Sequence, residues 1–341
     1  MTAKSSKRKR VVVVLPGRGS YGAAQLGYLR KHHQSFRTKL AKIDARTGEN
    51  GATPARELDD RPSFVPSVHL AGRNASNLIY ACALADVAAI DVERYEIVAV
   101  CGNSLGWYLT LAAGGAMTLE DGAHLVDTMG TLMEQKGEGG QVLYPVVDQD
   151  WRRDPKREAD VAAALAKASV SGGAYRSIEL GGIAVLAGDG PSLKVLLDEL
   201  PGDGDYPLRL PRHAAFHTPI LSGISAIAKA RLQPSLFGQP SLPMIDGYGR
   251  IWRPYACDPV DLYGYTLGAQ ITQTFDFTAT ITTAIKEFAP DGLILTGPGN
   301  SLGAPVAQVL IGCGWRGLRS KADFIAMQDN EPFIISVGRG R

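Results

Sequence analysis

A serine stands between two glycines in Gly102-Asn103-Ser104-Leu105-Gly106, after the apolar run YEIVAV and before the alanine-rich YLTLAAGGAM. Glycines two places to either side leave room for a strand to turn sharply into a helix, and that turn can present a serine hydroxyl as a nucleophile. The same string also serves as a plain glycine turn in a chain with 39 glycines. A hydroxyl attacks only when a base takes its proton, so the six histidines are weighed next. His32 and His33 lie in a charged helix, and His69 precedes a polar loop. His124 sits in an amphipathic helix that opens with a Thr118-to-Asp121 capping box, where a surface or packing role is the default. His213 and His217 lie in PRHAAFHTPI, entering a proline-limited turn at a change of pattern, and domain junctions are where pockets concentrate.

Three strand-then-glycine units must position these residues: VVVVLPGRGSYG, YEIVAVCGNSLG and DGLILTGPGNSLG. Unbroken apolar strands followed by glycine turns and helices predict an α/β sheet buried on both faces. Sites in such sheets form at the carboxyl ends of the strands. None of the three turns is a dinucleotide fingerprint or a phosphate-binding Walker loop. From 138 to 212 the pattern changes to strand, polar helix, two strands and a helix, the order of a small ferredoxin-like α+β subdomain. It divides a large α/β domain into 10–137 and 213–335, with an α/β-hydrolase-like parallel-sheet core. Residues 1–9 read as a basic flexible tail, and 46–66 as a long surface loop.

The composition excludes several classes. The chain has 341 residues, 45% apolar and 21% charged, with a net charge of +2, too little to argue for nucleic acid. Four scattered cysteines form neither a zinc cage nor a disulfide framework. The basic start leads into too short an apolar run for a signal peptide, and no segment is long and apolar enough to span a membrane. A soluble cytoplasmic monomer with no metal and no bound cofactor is expected.

The motifs together resemble the malonyl-CoA:acyl carrier protein transacylase family and its related acyltransferase domains. LPGRGSYG is similar to that family's opening F/L-P-G-Q-G-S, GNSLGW to G-H-S-L-G-E, AAFHTPI to A-F-H-S/T-P, and GPGNSLG to its G-P-G turn. The resemblance covers nearly the whole chain. It implies that Ser104 attacks an acyl-CoA thioester and that His217 takes its proton. It also implies an oxyanion hole made by the backbone amides of Leu105 and Arg18, and an acyl carrier protein as acceptor. His217 would be oriented by a backbone carbonyl near the Gly297-Pro298-Gly299 turn, with no acidic third member. Asn103, Trp107, Met129, Phe216 and Asn300 would border the substrate.

Departures from the family pattern bear on the substrate. Malonyl-transferring members carry an arginine that pairs with the free carboxylate, within R-G-x-L-M; here the string is Met129-Gly130-Thr131-Leu132-Met133. A carboxylate beside an apolar methionine is unpaired, so a donor without a carboxylate is expected unless another cation reaches it. Met129 equally fits an apolar stripe with Leu125 and Leu132 that packs a core. Asn103 replaces a histidine, Trp107 an acid and Arg18 a glutamine. Trp107 either narrows the acyl pocket or fills the core, and Arg18 could itself hold a carboxylate or contact coenzyme A phosphates. Rival readings are a malonyl-specific enzyme using another cation, an acyl hydrolase on the same serine, and a carrier-protein-binding scaffold. A patatin-like hydrolase would instead pair Ser104 with Asp246 of the Asp246-Gly247 step.

Overall fold

The computed structural model describes residues 7–47 and 51–339. Among them run the strands β1 (Lys9–Leu15), β2 (Tyr95–Gly102), β3 (Gly140–Pro145), β4 (Ala174–Leu180), β5 (Ile183–Gly188) and β6 (Leu208–Arg209). They are followed by β7 (Met244–Ile245), β8 (Ile251–Trp252), β9 (Phe275–Asp276), β10 (Gly292–Leu295) and β11 (Ile334–Ser336). The larger sheet has the order β11-β10-β1-β2-β7-β8 and is parallel apart from the β7–β8 edge pair. Val11 to Leu15 of its central strand are wholly buried, as strands covered by helices on both faces require. Each such side chain contributes roughly 1.5–3 kcal/mol of burial.

β1 begins at Lys9, inside the expected tail, because the Lys9 amide donates to Arg94 O (2.9 Å) and Lys9 pairs with Tyr95. Residues 1–6 of that tail lie outside the described residues. The expected loop 46–66 also needs correction. The helix Arg37–Thr47 runs into it, and it contains the helix Ala55–Asp59, with Ala55 and Leu58 wholly buried. Asp59 there accepts from the Tyr21 hydroxyl (2.7 Å) and the Arg30 amide (3.1 Å), so this segment is held by tertiary bonds that no local pattern announces. Residues 48–50 lie outside the described residues.

The small subdomain is ferredoxin-like: β3, helix Pro155–Ser171, β4, β5, helix Gly190–Glu199 and β6. Its sheet order is β6-β3-β5-β4, to which β9 of the larger part adds a parallel edge on β4. Val142, Tyr144, Val161, Leu186, Leu193 and Leu196 close a core of its own. Asp154 and Asp189 cap its two helices by accepting backbone amides, each cap stabilising by about 1 kcal/mol.

Two helices of the larger part prepare the site. Leu105–Ala113 is buried from Leu105 to Leu111. Leu119–Lys136 is capped by Thr118, whose hydroxyl accepts the Asp121 amide (3.0 Å). It crosses the helix Gly72–Ala88 so closely that a Cβ on Gly72 would stand 2.8 Å from Gly130 O. That crossing fixes Met129 and Met133 beside the carboxyl ends of β1 and β2.

Candidate active site

Ser104 occupies the step between β2 and the helix Leu105–Ala113, at φ 55° and ψ −110°. Non-glycine residues reach that region only when their surroundings force them, at a cost of about 1–3 kcal/mol. The forcing contacts are visible. A Cβ on Gly102 would lie 2.5 Å from Gly106 O, and one on Gly106 would lie 2.5 Å from Leu15 O. The two glycines therefore let strand, turn and helix touch backbone to backbone, with Ser104 raised at the apex.

His217 meets it there. Its Nε2 is 2.7 Å from Ser104 Oγ, and its Nδ1 is 2.6 Å from the Gln270 carbonyl oxygen. A carbonyl only accepts, so Nδ1 carries the proton and Nε2 is free to accept one from the serine. The orienting carbonyl belongs to Gln270 in the short helix Ala269–Thr272, which corrects the expectation that it would come from near the Gly297-Pro298-Gly299 turn. Burial pushes the His217 pKa down to about 4, against an opposing pull from the Gln270 carbonyl. His217 itself sits at φ 57°.

Gln270 is the residue that sequence reading missed. Besides its carbonyl on His217, its Nε2 donates to Ser104 O (3.3 Å) and its Oε1 accepts from the Tyr108 hydroxyl (2.9 Å). A lone glutamine in TLGAQITQTF carries no signal of type or spacing.

Ser104 and His217 open into one cleft. Met129, Met133, Tyr108, Phe216 and Ile271 supply apolar wall, and Arg18, Ser76 and Gln270 supply polar groups. Leu105, at the first turn of its helix, and Arg18 both border the serine. The Arg18 guanidinium lies over the Phe216 ring, 5.5 Å from its centroid. Burial lowers its pKa to about 10, with Glu134 acting in the opposite sense, so it remains a cation at neutral pH. Among the described residues no carboxylate lies within ion-pair distance of it; Glu134 is instead gripped by Arg73 at 2.9 and 3.2 Å. For Glu134, burial alone would raise the pKa, but hydrogen bonds from Arg73 and the charges of Arg73 and Arg18 bring it down.

Three expected substrate neighbours are placed elsewhere. Trp107 is fully buried, donates to Thr266 Oγ1 (3.0 Å) and packs edge-on against Tyr265. The helix turns it inward, away from the cleft. Asn103 is buried beneath the turn, its amide on Leu15 O (3.1 Å) and its carbonyl accepting the Gly106 amide (2.8 Å). Asn300 accepts from Ser336 Oγ (3.0 Å) and borders a separate cleft with Trp151 and Phe324. Asp246 is wholly buried, its carboxylate taken by the Trp252 indole (2.8 Å) and the amides of Tyr248 and Arg250. His33 is buried on Asp86 (2.7 Å) and His69 on Leu58 O (3.1 Å), although their sequence neighbours are charged and polar. Among the described residues no group of three His, Cys, Asp or Glu could hold a metal ion, and no helix is long and apolar enough to cross a membrane.

The low pKa of His217 sets a stability effect. The folded chain keeps the ring neutral to about pH 4, whereas the unfolded chain protonates it near pH 6.5. Its share of stability is therefore complete above about pH 6.5 and is lost progressively as pH falls toward 4. One such group contributes a slope of up to about 1.4 kcal/mol per pH unit. Urea midpoints measured from pH 7 to 4.5 should thus fall less steeply in His217→Gln than in the wild type; equal slopes would contradict a neutral buried imidazole.

An α/β core with an inserted ferredoxin-like subdomain and a hydrogen-bonded serine–histidine pair at a strained turn is the architecture these observations define. It is the fold of the malonyl-CoA:acyl carrier protein transacylases. The transacylase of Xanthomonas oryzae superposes with a TM-score of 0.69 at 20% identity, covering 96% of this chain and 99% of that one. A malonyl-transacylase solved in complex with a type II polyketide synthase acyl carrier protein superposes with a TM-score of 0.73 at 18% identity, covering 94% and 99%. The polyketide biosynthesis protein ThaF of Burkholderia thailandensis is 29% identical over 179 residues, 52% of this chain; the match spans 15% of that protein. No family model matches the chain.

Proposed function

We propose that the protein transfers an acyl group from an acyl-CoA to the phosphopantetheine thiol of an acyl carrier protein through an acyl-Ser104 intermediate. The observation that carries this reading is the 2.7 Å contact of Ser104 Oγ with His217 Nε2 at the mouth of an apolar cleft. Ser104 Oγ attacks the thioester carbonyl while its proton passes to His217 Nε2. The imidazolium so formed is steadied by the Gln270 carbonyl on Nδ1. The amide of Leu105, without an intrahelical partner at the first helical position, and that of Arg18 receive the developing oxyanion. The proton then leaves with the coenzyme A thiol, and the carrier thiol reverses the sequence.

Met129 on the cleft wall supports a donor whose acyl group ends without a carboxylate. A second reading has its own observation. The Arg18 guanidinium reaches the same cleft with no carboxylate among the described residues bound to it, and would pair with a malonyl-type group.

Intact mass after brief incubation with acetyl-, malonyl-, methylmalonyl- and longer acyl-CoAs tests both. A neutral acyl adduct that passes to a carrier thiol is expected. An adduct from malonyl-CoA alone favours the Arg18 reading, and steady coenzyme A release without an adduct favours a hydrolase. No adduct and no release would leave only the binding scaffold.

A further inference from the structure

We infer that Ser177 and Gln141 of the small subdomain are positioning residues for His217; the inference rests on the reading of His217 as the base. Three hydrogen bonds run in one direction between them and the loop from His213 to His217. His213 Nδ1 donates to Gln141 Oε1 (2.7 Å), Gln141 Nε2 to Ser177 Oγ (2.6 Å), and Ser177 Oγ to the Phe216 carbonyl (2.7 Å). The sense is forced at both ends, because a carbonyl only accepts and an amide nitrogen only donates. Gln141 and Ser177 are 1% and 0% exposed, so water cannot replace a missing partner, and each bond polarises the next.

The effect is to pin the loop at both ends. One pin is the His213 side chain. The other is the carbonyl of the peptide whose nitrogen belongs to His217, the residue held at φ 57°. Backbone in that region persists only where neighbours over-determine it, and this chain of bonds is one such constraint.

The strand that carries Ser177 also pairs with the segment whose Phe275 packs on the imidazole. Ile178 of β4 pairs in parallel with Phe275 of β9, and Thr274 Oγ1 donates to Arg176 O (2.7 Å). The Phe275 ring packs 5.3 Å from that of His217. Gln270, whose carbonyl accepts from the Nδ1–H, lies four residues before Thr274. One strand of the small subdomain thus braces the peptide before the histidine and the segment that orients its ring, which makes the subdomain part of the base machinery.

The test is single-turnover acylation of Ser104, followed by intact mass from pH 8 to 4.5 with acetyl-CoA and malonyl-CoA in parallel. The full chain is compared as wild type, Ser177→Ala, Ser177→Thr, Gln141→Met and His217→Ala, each checked for folding by thermal melt. Ser177→Ala is expected to lower the maximal acylation rate about tenfold, the effect of one lost buried hydrogen bond, with half-saturation by donor unchanged. Its acid limb should move up toward the ordinary histidine range as the loop loosens and water reaches the ring. Gln141→Met should do the same, and Ser177→Thr, which keeps the hydroxyl, should restore rate and limb. Should Ser177→Ala fail to fold, Gln141→Met decides. Wild-type rate and limb in the folded variants, or a loss uniform across pH that follows the folded fraction, would overturn the inference while an inactive His217→Ala left the base reading standing. Acylation of His217→Ala at the wild-type rate would instead overturn the base reading, and this inference with it.

Discussion

Ser104→Ala will gain no acyl mass from any acyl-CoA and will lose transfer to a carrier thiol by roughly 10³-fold or more, the usual cost of deleting a nucleophile that acts as a unit with its base. The covalent step has no substitute in the cleft. Among its lining residues the other hydroxyls are Ser76, which donates to Gly72 O (2.7 Å), and Tyr108, which donates to Gln270 Oε1. Neither lies on His217, whose Nε2 is taken by Ser104 and whose Nδ1 is taken by a carbonyl. The substitution should leave the fold intact. The turn at φ 55° is imposed by the contacts of Gly102 and Gly106 rather than by the hydroxyl, and the Nε2 left behind faces the cleft, where water can donate to it. A melting temperature near that of the wild type together with a silent mass spectrum is the expected pair of results. An acyl adduct surviving in Ser104→Ala would remove the serine from the mechanism altogether.

Met129→Arg will shift donor preference toward malonyl-CoA by about 10- to 100-fold relative to acetyl-CoA, the range spanned by a charge-assisted, forked hydrogen bond to a carboxylate. Met129 lines the cleft and is 2% exposed. It sits one residue before Gly130, whose close approach to Gly72 prevents the helix from moving aside. A guanidinium introduced there enters a wall that Met133, Phe216 and Ile271 keep apolar, where water competes weakly for it. Arg18 is the complication and also the control. If it already serves a carboxylate, the wild type will favour malonyl-CoA, Met129→Arg will add little, and Arg18→Gln will abolish the preference. The ratio of kcat/KM for the two donors across wild type, Met129→Arg and Arg18→Gln separates these cases. A ratio indifferent to both substitutions would place the acyl terminus somewhere other than this wall.

Much of the scaffold was legible because its signals are local. Four consecutive valines predicted a strand buried on both faces, and Val11 to Val14 are wholly buried. The alternation of strand and helix between 138 and 212 predicted the ferredoxin-like order, and the capping pair at Thr118 and Asp121 marked a helix start. Elements whose stability comes from distant partners were not legible. The helix Ala55–Asp59 looked like loop because the bonds that hold its Asp59 come from the distant Tyr21 hydroxyl and Arg30 amide. The edge strand β9 is two residues long and exists through its register with Ile178.

The same division holds at the site. By itself the sequence determined that Ser104 stands at a turn only glycines can make, and it singled out AAFHTPI, because collision between backbones and the chemistry of a hydroxyl and an imidazole are properties of residue types at fixed spacing. Which way each side chain faces was decided only in the tertiary structure. Trp107 turned into the core and Arg18 toward the cleft, and neither direction follows from its neighbours in the chain. The group that orients His217 is a backbone carbonyl, an atom every residue possesses, so nothing about Gln270 could have marked it. It acquires its role because the fold brings the short helix Ala269–Thr272 within 2.6 Å of the His217 Nδ1, far from it in sequence.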